Sequence, residues 1–178
     1  MKSVLAKLIA VALISVGCSA PPPLDRFELG GDFSLTDHGG QPFHLSQRRG
    51  RVQLLLFGFT SCPDVCPAAM SRLALVLPRL APPGADVLFV SVDPRHDTPA
   101  RLTEYAAAWD FDVTGLTGTA DEIRAVATSY GASFAPGTEG GVDHSTRIYL
   151  LDGDGQVRFL FSSDDSVDDM VRVTDQLL

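Results

Sequence analysis

Two cysteines near the middle of the chain have the residue type and spacing needed for metal binding or thiol chemistry. Cys62 and Cys66 are separated by three residues within the stretch from Gly58 to Ala68. Thiolates are nucleophiles and soft metal ligands, so the pair can bind one ion or oxidise to a disulfide. A disulfide that closes so short a loop removes little chain entropy and adds little stability. The pair therefore predicts a redox or metal site rather than a scaffold.

The residues around this pair predict that it lies between a buried strand and a helix. Residues 52–57 are almost continuously apolar, which is typical of a strand covered on both faces, and Pro67 is typical of a first helical position. The partial positive charge of a helix N-terminus favours a thiolate. Asp64 opposes this effect, because a nearby carboxylate raises a thiol pKa. The sequence leaves the net direction of the thiol pKa open.

A stable metal site needs a third donor, and the chain offers four histidines and three methionines. His38 and His44 lie in or beside a predicted hairpin and are expected to be solvated. His96 follows the end of a strand and can face the same crevice as the cysteines, since open α/β sheets form their sites at such ends. His144 is the strongest candidate, because it lies in a glycine-rich segment that leads directly into a strand. Met70 is expected in the core.

The first twenty residues predict a secretory signal peptide. Two lysines precede an apolar run too short to span a bilayer, and small residues follow it. Cys18 after Gly17 resembles the cleavage site of bacterial lipoproteins, where the cysteine carries the lipid, although Ser15 departs from that pattern. Plain cleavage near Ala20 is the alternative. Either outcome leaves one cysteine pair in the exported chain.

The rest of the chain predicts one α/β domain over residues 25–178, preceded by a proline-rich tether at residues 21–24. Helices alternate with apolar strands and are flanked by two hairpins, at residues 32–46 and 147–161, which indicates a mixed sheet with helices on both faces. Helices are predicted from Pro67 to about Leu77, from Pro99 to about Trp109, from the Thr119 capping box to Tyr130, and from Ser166 to the C-terminus.

The charge of the chain argues against two kinds of partner. The formal net charge is −8, and the predicted signal peptide contains both lysines of the chain and no acidic residue. Such an acidic domain is unsuited to nucleic acid or to an anionic membrane surface. Contact with a membrane is therefore expected only through the N-terminal anchor.

Four blocks of sequence together carry a resemblance to a known family. In family order they are GFTSCPDVCP at 58–67, SVDP at 91–94 with DTP at 97–99, GLTGT at 115–119, and VDHS at 142–145 with YLLD at 149–152. The chain resembles the Sco/SenC family over nearly the whole exported domain. The resemblance implies a thioredoxin-like fold, anchoring in a membrane that faces the periplasm or intermembrane space, and delivery of copper to cytochrome c oxidase.

The resemblance also implies which residues bind the metal. Cys62 and Cys66 match the two thiolate ligands of the family, and His144 matches its distal imidazole ligand. Two thiolates with one imidazole suit Cu(I) better than structural zinc, which prefers four ligands in a tetrahedral arrangement. Asp143 is expected to orient His144 or to stabilise its turn. His96 stands where the family often has arginine, which leaves the three ligands intact.

Two functions of different classes follow. The first is a copper chaperone, bound to the periplasmic side of the membrane, that takes one copper ion from an upstream donor. It delivers this ion to the binuclear site of oxidase subunit II or to another cuproenzyme. The second is a thiol-disulfide oxidoreductase that uses Cys62 and Cys66 to reduce the cysteines of a recipient site. Peroxide reduction on the same fold fits less well, because it needs neither a neighbouring thiol nor a remote histidine. Whether the chain is an enzyme stays open.

Overall fold

A seven-stranded mixed sheet forms the centre of the protein, in a computed structural model that describes residues 24–133 and 147–178. The strands are β1 (Ser34–Asp37), β2 (Pro42–His44), β3 (Val52–Gly58), β4 (Ala85–Ser91), β5 (Val113–Thr117), β6 (Ile148–Leu151) and β7 (Val157–Phe161). The helices are α1 (Val65–Val76), α2 (Pro99–Ala107), α3 (Ala120–Ser129) and α4 (Val167–Thr174), with short 3-10 turns at Leu45–Arg48 and Leu77–Arg79.

The strand order β2-β1-β5-β4-β3-β6-β7 places the parallel strands in the middle of the sheet. Strands β3, β4 and β5 run parallel, while β1 pairs antiparallel with β5 and β6 pairs antiparallel with β3. The two predicted hairpins, β1-β2 and β6-β7, therefore form the two edges. Strands β3 and β4 end side by side, because Gly58, the last residue of β3, lies opposite Ser91, the last residue of β4.

Alternating side chains of the central strands bury two separate cores, one on each face of the sheet. Leu54 and Leu56 of β3 pack on the face covered by α1, α2 and α4, whereas Leu55 packs on the face covered by α3. All three leucines are fully buried. This explains why β3 is a nearly continuous apolar run, as expected for a strand of a parallel sheet. The predicted mixed sheet with helices on both faces is confirmed.

The helix-start signals are confirmed in the structure. Thr119 and Glu122 form a capping box at the start of α3, and Thr98 and Ser166 each accept a backbone N–H at the starts of α2 and α4. Gly131, with φ of 63°, follows the end of α3 in the left-handed conformation that favours glycine. Side-chain oxygens therefore satisfy N-terminal N–H groups that have no partner within the helix.

Three helix boundaries differ from the prediction. Helix α1 begins at Val65 rather than Pro67, α2 ends at Ala107 rather than about Trp109, and α4 ends at Thr174 rather than at the C-terminus. The first difference has a simple cause. The first four N–H groups of a helix have no intrahelical acceptor, so a proline is tolerated throughout the first turn and does not mark its start.

His38 and His44 are not freely solvated, contrary to the prediction. Both are half-buried, and His38 Nδ1 accepts the backbone N–H of Gly115 at 3.0 Å. His44 Nδ1 lies 2.6 Å from the hydroxyl of Ser34. Both imidazoles therefore stabilise the first hairpin: His38 connects it to β5, and His44 connects its two strands, β2 and β1, to each other.

The N-terminal part of the prediction falls largely outside the structure. Cys18 and the predicted signal peptide, residues 1–20, lie outside the described residues. Within 24–133 and 147–178, no helix combines the length and hydropathy needed to cross a membrane.

Candidate metal centre

The two cysteines lie close together where the chain passes from β3 to α1. Cys62 lies in the connecting loop, and Cys66 is the second residue of the helix. The backbone N–H of Cys66 donates to Cys62 Sγ at 3.5 Å, and both thiols are free. Asp64 occupies the N-cap position but makes no capping hydrogen bond through its side chain. The sulfur of Cys62 therefore takes the role of a helix cap, which fixes both sulfurs at the same helix terminus.

The pair is buried in a small apolar cluster. Cys62 is 7% exposed and Cys66 is 0% exposed, and both pack with Phe59 and Val92. The thiols therefore lie just under the surface, with Cys62 the more accessible of the two. An incoming ion or thiol reaches Cys62 first.

Burial raises the pKa of the Cys66 thiol to about 12. A hydrogen bond with the backbone of Phe59 lowers this pKa, while Cys62 and the carboxylate of Asp97 raise it further. The sequence pointed to Asp64 as the opposing carboxylate, but Asp64 is exposed and the acting carboxylate is Asp97. The helix N-terminus therefore does not outweigh burial at Cys66, and its thiol stays protonated at neutral pH.

Tyr105, a half-buried tyrosine whose hydroxyl is buried, packs on the face of the sheet that α1 covers. The ring of Tyr105 packs against Phe89 with centroids 4.7 Å apart. Burial raises the pKa of Tyr105, and Cys66, Cys62 and Asp97 raise it further through their charges. The indole of Trp109 lowers this pKa, yet neither its N–H nor the Tyr105 hydroxyl reaches hydrogen-bond geometry with any described residue. The surroundings of the thiols thus disfavour additional negative charge.

The structure does not bring His96 to the pair as a ligand. Its side chain is 74% exposed, and its Nδ1 lies 2.7 Å from Asp93 Oδ2. Met70 is fully buried in the core, as predicted. His144 and Asp143 lie outside the described residues. Among the residues that the structure does describe, no group of three or more potential ligands from His, Cys, Asp and Glu occurs.

The buried carboxylate of Asp97 was not predicted from the sequence. It is 1% exposed and is bound by Thr60 and Ser91, which reach it from the ends of β3 and β4. The only sequence signal was its place in the Asp-Thr-Pro block, where Thr98 and Pro99 mark the start of α2. A charged residue in such a loop is ordinarily exposed, so its burial depends on the tertiary fold.

Gly58 is the residue that gives the Cys66 sulfur its space. A Cβ atom on Gly58 would lie 2.8 Å from Cys66 Sγ and 2.9 Å from Cε2 of Phe89. We expect Gly58→Ala to destabilise the protein by about 1–3 kcal/mol, as overpacked cores do. It should also displace Cys66 and weaken metal binding. Chemical unfolding and copper titration of the purified variant measure the two effects.

Gly39→Ala is the matched control, because the atom nearest to an added Cβ there is Oδ1 of the half-buried Asp37, at 3.2 Å, rather than a cysteine sulfur. This control should bind copper as the unmodified protein does. If Gly58→Ala bound copper as tightly and were as stable as the unmodified protein, the absence of a Cβ atom at Gly58 would not be needed to place the Cys66 sulfur.

Comparison with known proteins places the chain in a family. Residues 22–178 match the family model for SCO1/SenC. The SCO2-like protein RC0895 of Rickettsia conorii is 34% identical over 155 residues, which cover 83% of this chain and 76% of that protein. The mitochondrial protein SCO2 of Saccharomyces cerevisiae is 39% identical over 137 residues, covering 72% of this chain and 46% of the yeast protein. The chain thus spans about half the length of that relative.

A solved structure agrees with this comparison. The crystal structure of Arabidopsis thaliana ScoI, which has copper bound, is 31% identical, covers 83% of this chain and 97% of its own, and superimposes with a TM-score of 0.78. The predicted thioredoxin-like fold, with its two added hairpins, is confirmed. The four sequence blocks, the sheet topology and the paired thiols agree with the family match, and the chain belongs to the SCO1/SenC family.

Proposed function

We propose that this protein is a membrane-tethered copper chaperone. It binds one copper ion through Cys62, Cys66 and His144 and delivers it to the binuclear copper site of cytochrome c oxidase subunit II. The observation that carries this proposal is the pair of free thiols held together at the start of α1. Copper in the structure of the related ScoI supports the choice of ion.

The chemistry of the described pair suits a soft, mobile ion. Two buried sulfurs favour copper over hard cations such as magnesium or calcium. Because Cys62 is near the surface, a thiolate of the recipient can approach the ion while Cys66 still holds it. A three-donor site leaves room for this exchange, which a closed tetrahedral site does not.

The remaining ligand and the anchor belong to the same proposal. His144 supplies the imidazole and Asp143 orients it, while residues 1–20 direct export and Cys18 carries the lipid. Residues 21–24 tether the domain, residues 25–178, to the periplasmic side of a bacterial membrane. An upstream periplasmic donor supplies the copper, and another cuproenzyme is the alternative recipient.

A second candidate function uses the same pair without the metal. Both thiols are reduced and adjacent, so they can pass two electrons to a disulfide in a recipient protein and become a disulfide themselves. In this case the protein is a periplasmic thiol-disulfide oxidoreductase that reduces the cysteines of the recipient copper site. The oxidised pair cannot bind copper, so the two functions would alternate.

The variant His144→Ala separates the two functions. If the protein carries copper, the variant should bind Cu(I) about 100-fold or more weakly, since even the loss of a group outside the ligand set costs 10–100-fold. Thiol-disulfide exchange should stay near the original rate, because it needs only Cys62 and Cys66. Copper stoichiometry and competition with a Cu(I) chelator, on the reduced protein, provide the measurement.

His96→Ala is the control for this experiment, since His96 is exposed and bound to Asp93 rather than to the pair. It should bind copper normally. Copper affinity that is unchanged in His144→Ala would remove His144 from the site. Weak binding by the unmodified protein, together with rapid thiol exchange, would favour the oxidoreductase.

A further inference from the structure

A buried carboxylate fastens the loop that carries Cys62. Asp97, which lies between β4 and α2, accepts three hydrogen bonds from two neighbouring segments. The backbone N–H of Thr60 donates to Oδ2 at 2.9 Å, and the Thr60 hydroxyl donates to Oδ1 at 2.6 Å. The hydroxyl of Ser91, the last residue of β4, donates to Oδ2 at 2.6 Å.

These contacts connect Asp97 to the cysteine pair through a short path. Thr60 precedes Cys62 by two residues, and the N–H of Cys62 donates to the Phe59 carbonyl at 3.1 Å. The loop is therefore held at two points: Asp97 binds Thr60, and a turn joins Cys62 to Phe59. Cys62 Sγ in turn accepts the N–H of Cys66. Movement of Thr60 would move the sulfur of Cys62 relative to that of Cys66.

Burial of the Asp97 carboxyl group costs free energy, which its hydrogen bonds must offset. A carboxyl group that is 1% exposed has lost its hydration and needs hydrogen bonds from the protein in its place. All three groups that donate hydrogen bonds to Asp97 lie at or just after the ends of β3 and β4, beside the cysteine pair. A carboxylate that served only to start α2 would not need them, because Thr98 already caps that helix.

We propose that Asp97 is the positioning residue for the copper loop, holding Thr60 against the end of β4 so that the two sulfurs are preorganised for the ion. This inference rests on the proposed function for its copper readout. Asp97 does not touch the ion, and it acts through Thr60. Arg101 Nε donates to the same Thr60 hydroxyl at 3.3 Å, so that this hydroxyl both donates and accepts a hydrogen bond.

Hydrogen exchange of the copper-free, reduced protein tests the positioning directly. In Asp97→Asn, the amide of Thr60 should exchange about tenfold faster or more, as expected when a hydrogen bond to a charged acceptor is weakened. The amides of Cys62 and Cys66 should follow. The amide of Leu88, in the middle of β4, reports global unfolding and should change much less. Equal acceleration at Leu88 and Thr60 would mean that Asp97 supports only overall stability, and would overturn the proposal.

Copper retention provides the second readout. Asp97→Asn and Thr60→Val should each weaken Cu(I) binding by about tenfold or more, in the range found for groups that orient ligands from outside the ligand set. The double variant should lose no more than the weaker binder of the two, because both changes break one path. Full additivity, or unchanged affinity in folded Asp97→Asn, contradicts the proposal. If Asp97→Asn does not fold, Thr60→Val, which removes the side-chain bond to Oδ1 and keeps the backbone bond to Oδ2, tests the path through copper retention and through exchange at the Cys62 and Cys66 amides.

Asp86→Asn is the matched control. Asp86 lies near the other end of β4, where its carboxylate pairs with Arg51 at 2.5 Å. This variant also loses a tertiary carboxylate contact, but it should leave copper binding and the exchange of Thr60 unchanged. Failure of the unmodified protein to bind copper would refute the proposed function, while the exchange data would still decide the role of Asp97.

Discussion

Cys66→Ser is expected to abolish stable copper binding and all formation of an intramolecular disulfide. The hydroxyl is a hard, neutral donor where the ion requires a soft thiolate, so the loss should exceed the 10–100-fold typical of changes outside the ligand set. Serine is slightly smaller than cysteine, and the site already tolerates the sulfur beside Gly58, so no clash is introduced. The fold should therefore persist while both functions fail.

The measurement combines copper stoichiometry by elemental analysis, thiol titration, and circular dichroism of the purified variant. Met70→Leu is the matched control, because it removes another fully buried sulfur from α1 while keeping a similar volume. The control should bind one copper ion per chain. Retention of one tightly bound ion by Cys66→Ser would exclude Cys66 as a ligand and contradict both the chaperone and its proposed site.

Much of the fold could be predicted because its signals are local. The capping box at Thr119 and the hairpin turn at Asp152 each depend on residues within a few positions, and the structure contains both. The apolar run of β3 likewise predicts burial on both faces without knowledge of its neighbours. Helix ends were less certain, since Pro67 is compatible with several positions of a first turn.

The candidate site was only partly predictable, because its electrostatics depend on burial. Cysteine spacing indicated the paired sulfurs, but a helix N-terminus and Asp64 gave opposing expectations for the thiol pKa. In the structure, burial of Cys66 is the largest effect on its pKa, and Cys62 and, to a smaller extent, Asp97, which is distant in sequence, also raise it. No spacing rule brings residue 97 to residue 60. That contact exists because β3 and β4 are parallel neighbours that end together.

Burial of the cysteine pair also affects how the reduced protein binds copper. A protonated thiol is a poor nucleophile and a poor metal ligand, and burial favours the protonated form of Cys66. Copper must displace that proton in order to bind. Loading therefore couples metal capture to proton release, and Cys62, the more exposed sulfur, is the expected point of entry.

This coupling predicts that copper affinity increases with pH. Burial holds the pKa of Cys66 at about 12, so from pH 7 to pH 9 the apoprotein carries a proton at this sulfur that the copper-bound form lacks. Raising the pH removes the competing proton and favours the copper-bound form. The Cu(I) affinity should rise by about tenfold per pH unit for each proton displaced, and thus at least about 100-fold over this interval.

The affinity is measured by competition with a Cu(I) chelator whose own proton affinity is known, and the interval lies above the ordinary histidine pKa of about 6.5, so that imidazole protonation contributes little. Proton release on copper addition, recorded in a weakly buffered solution, gives the same number independently. An affinity that stays constant between pH 7 and pH 9, with no proton released, would mean that Cys66 is already a thiolate in the apoprotein or does not bind the ion. Cys66→Ser decides between these two cases, because only a true ligand changes the affinity when it is replaced.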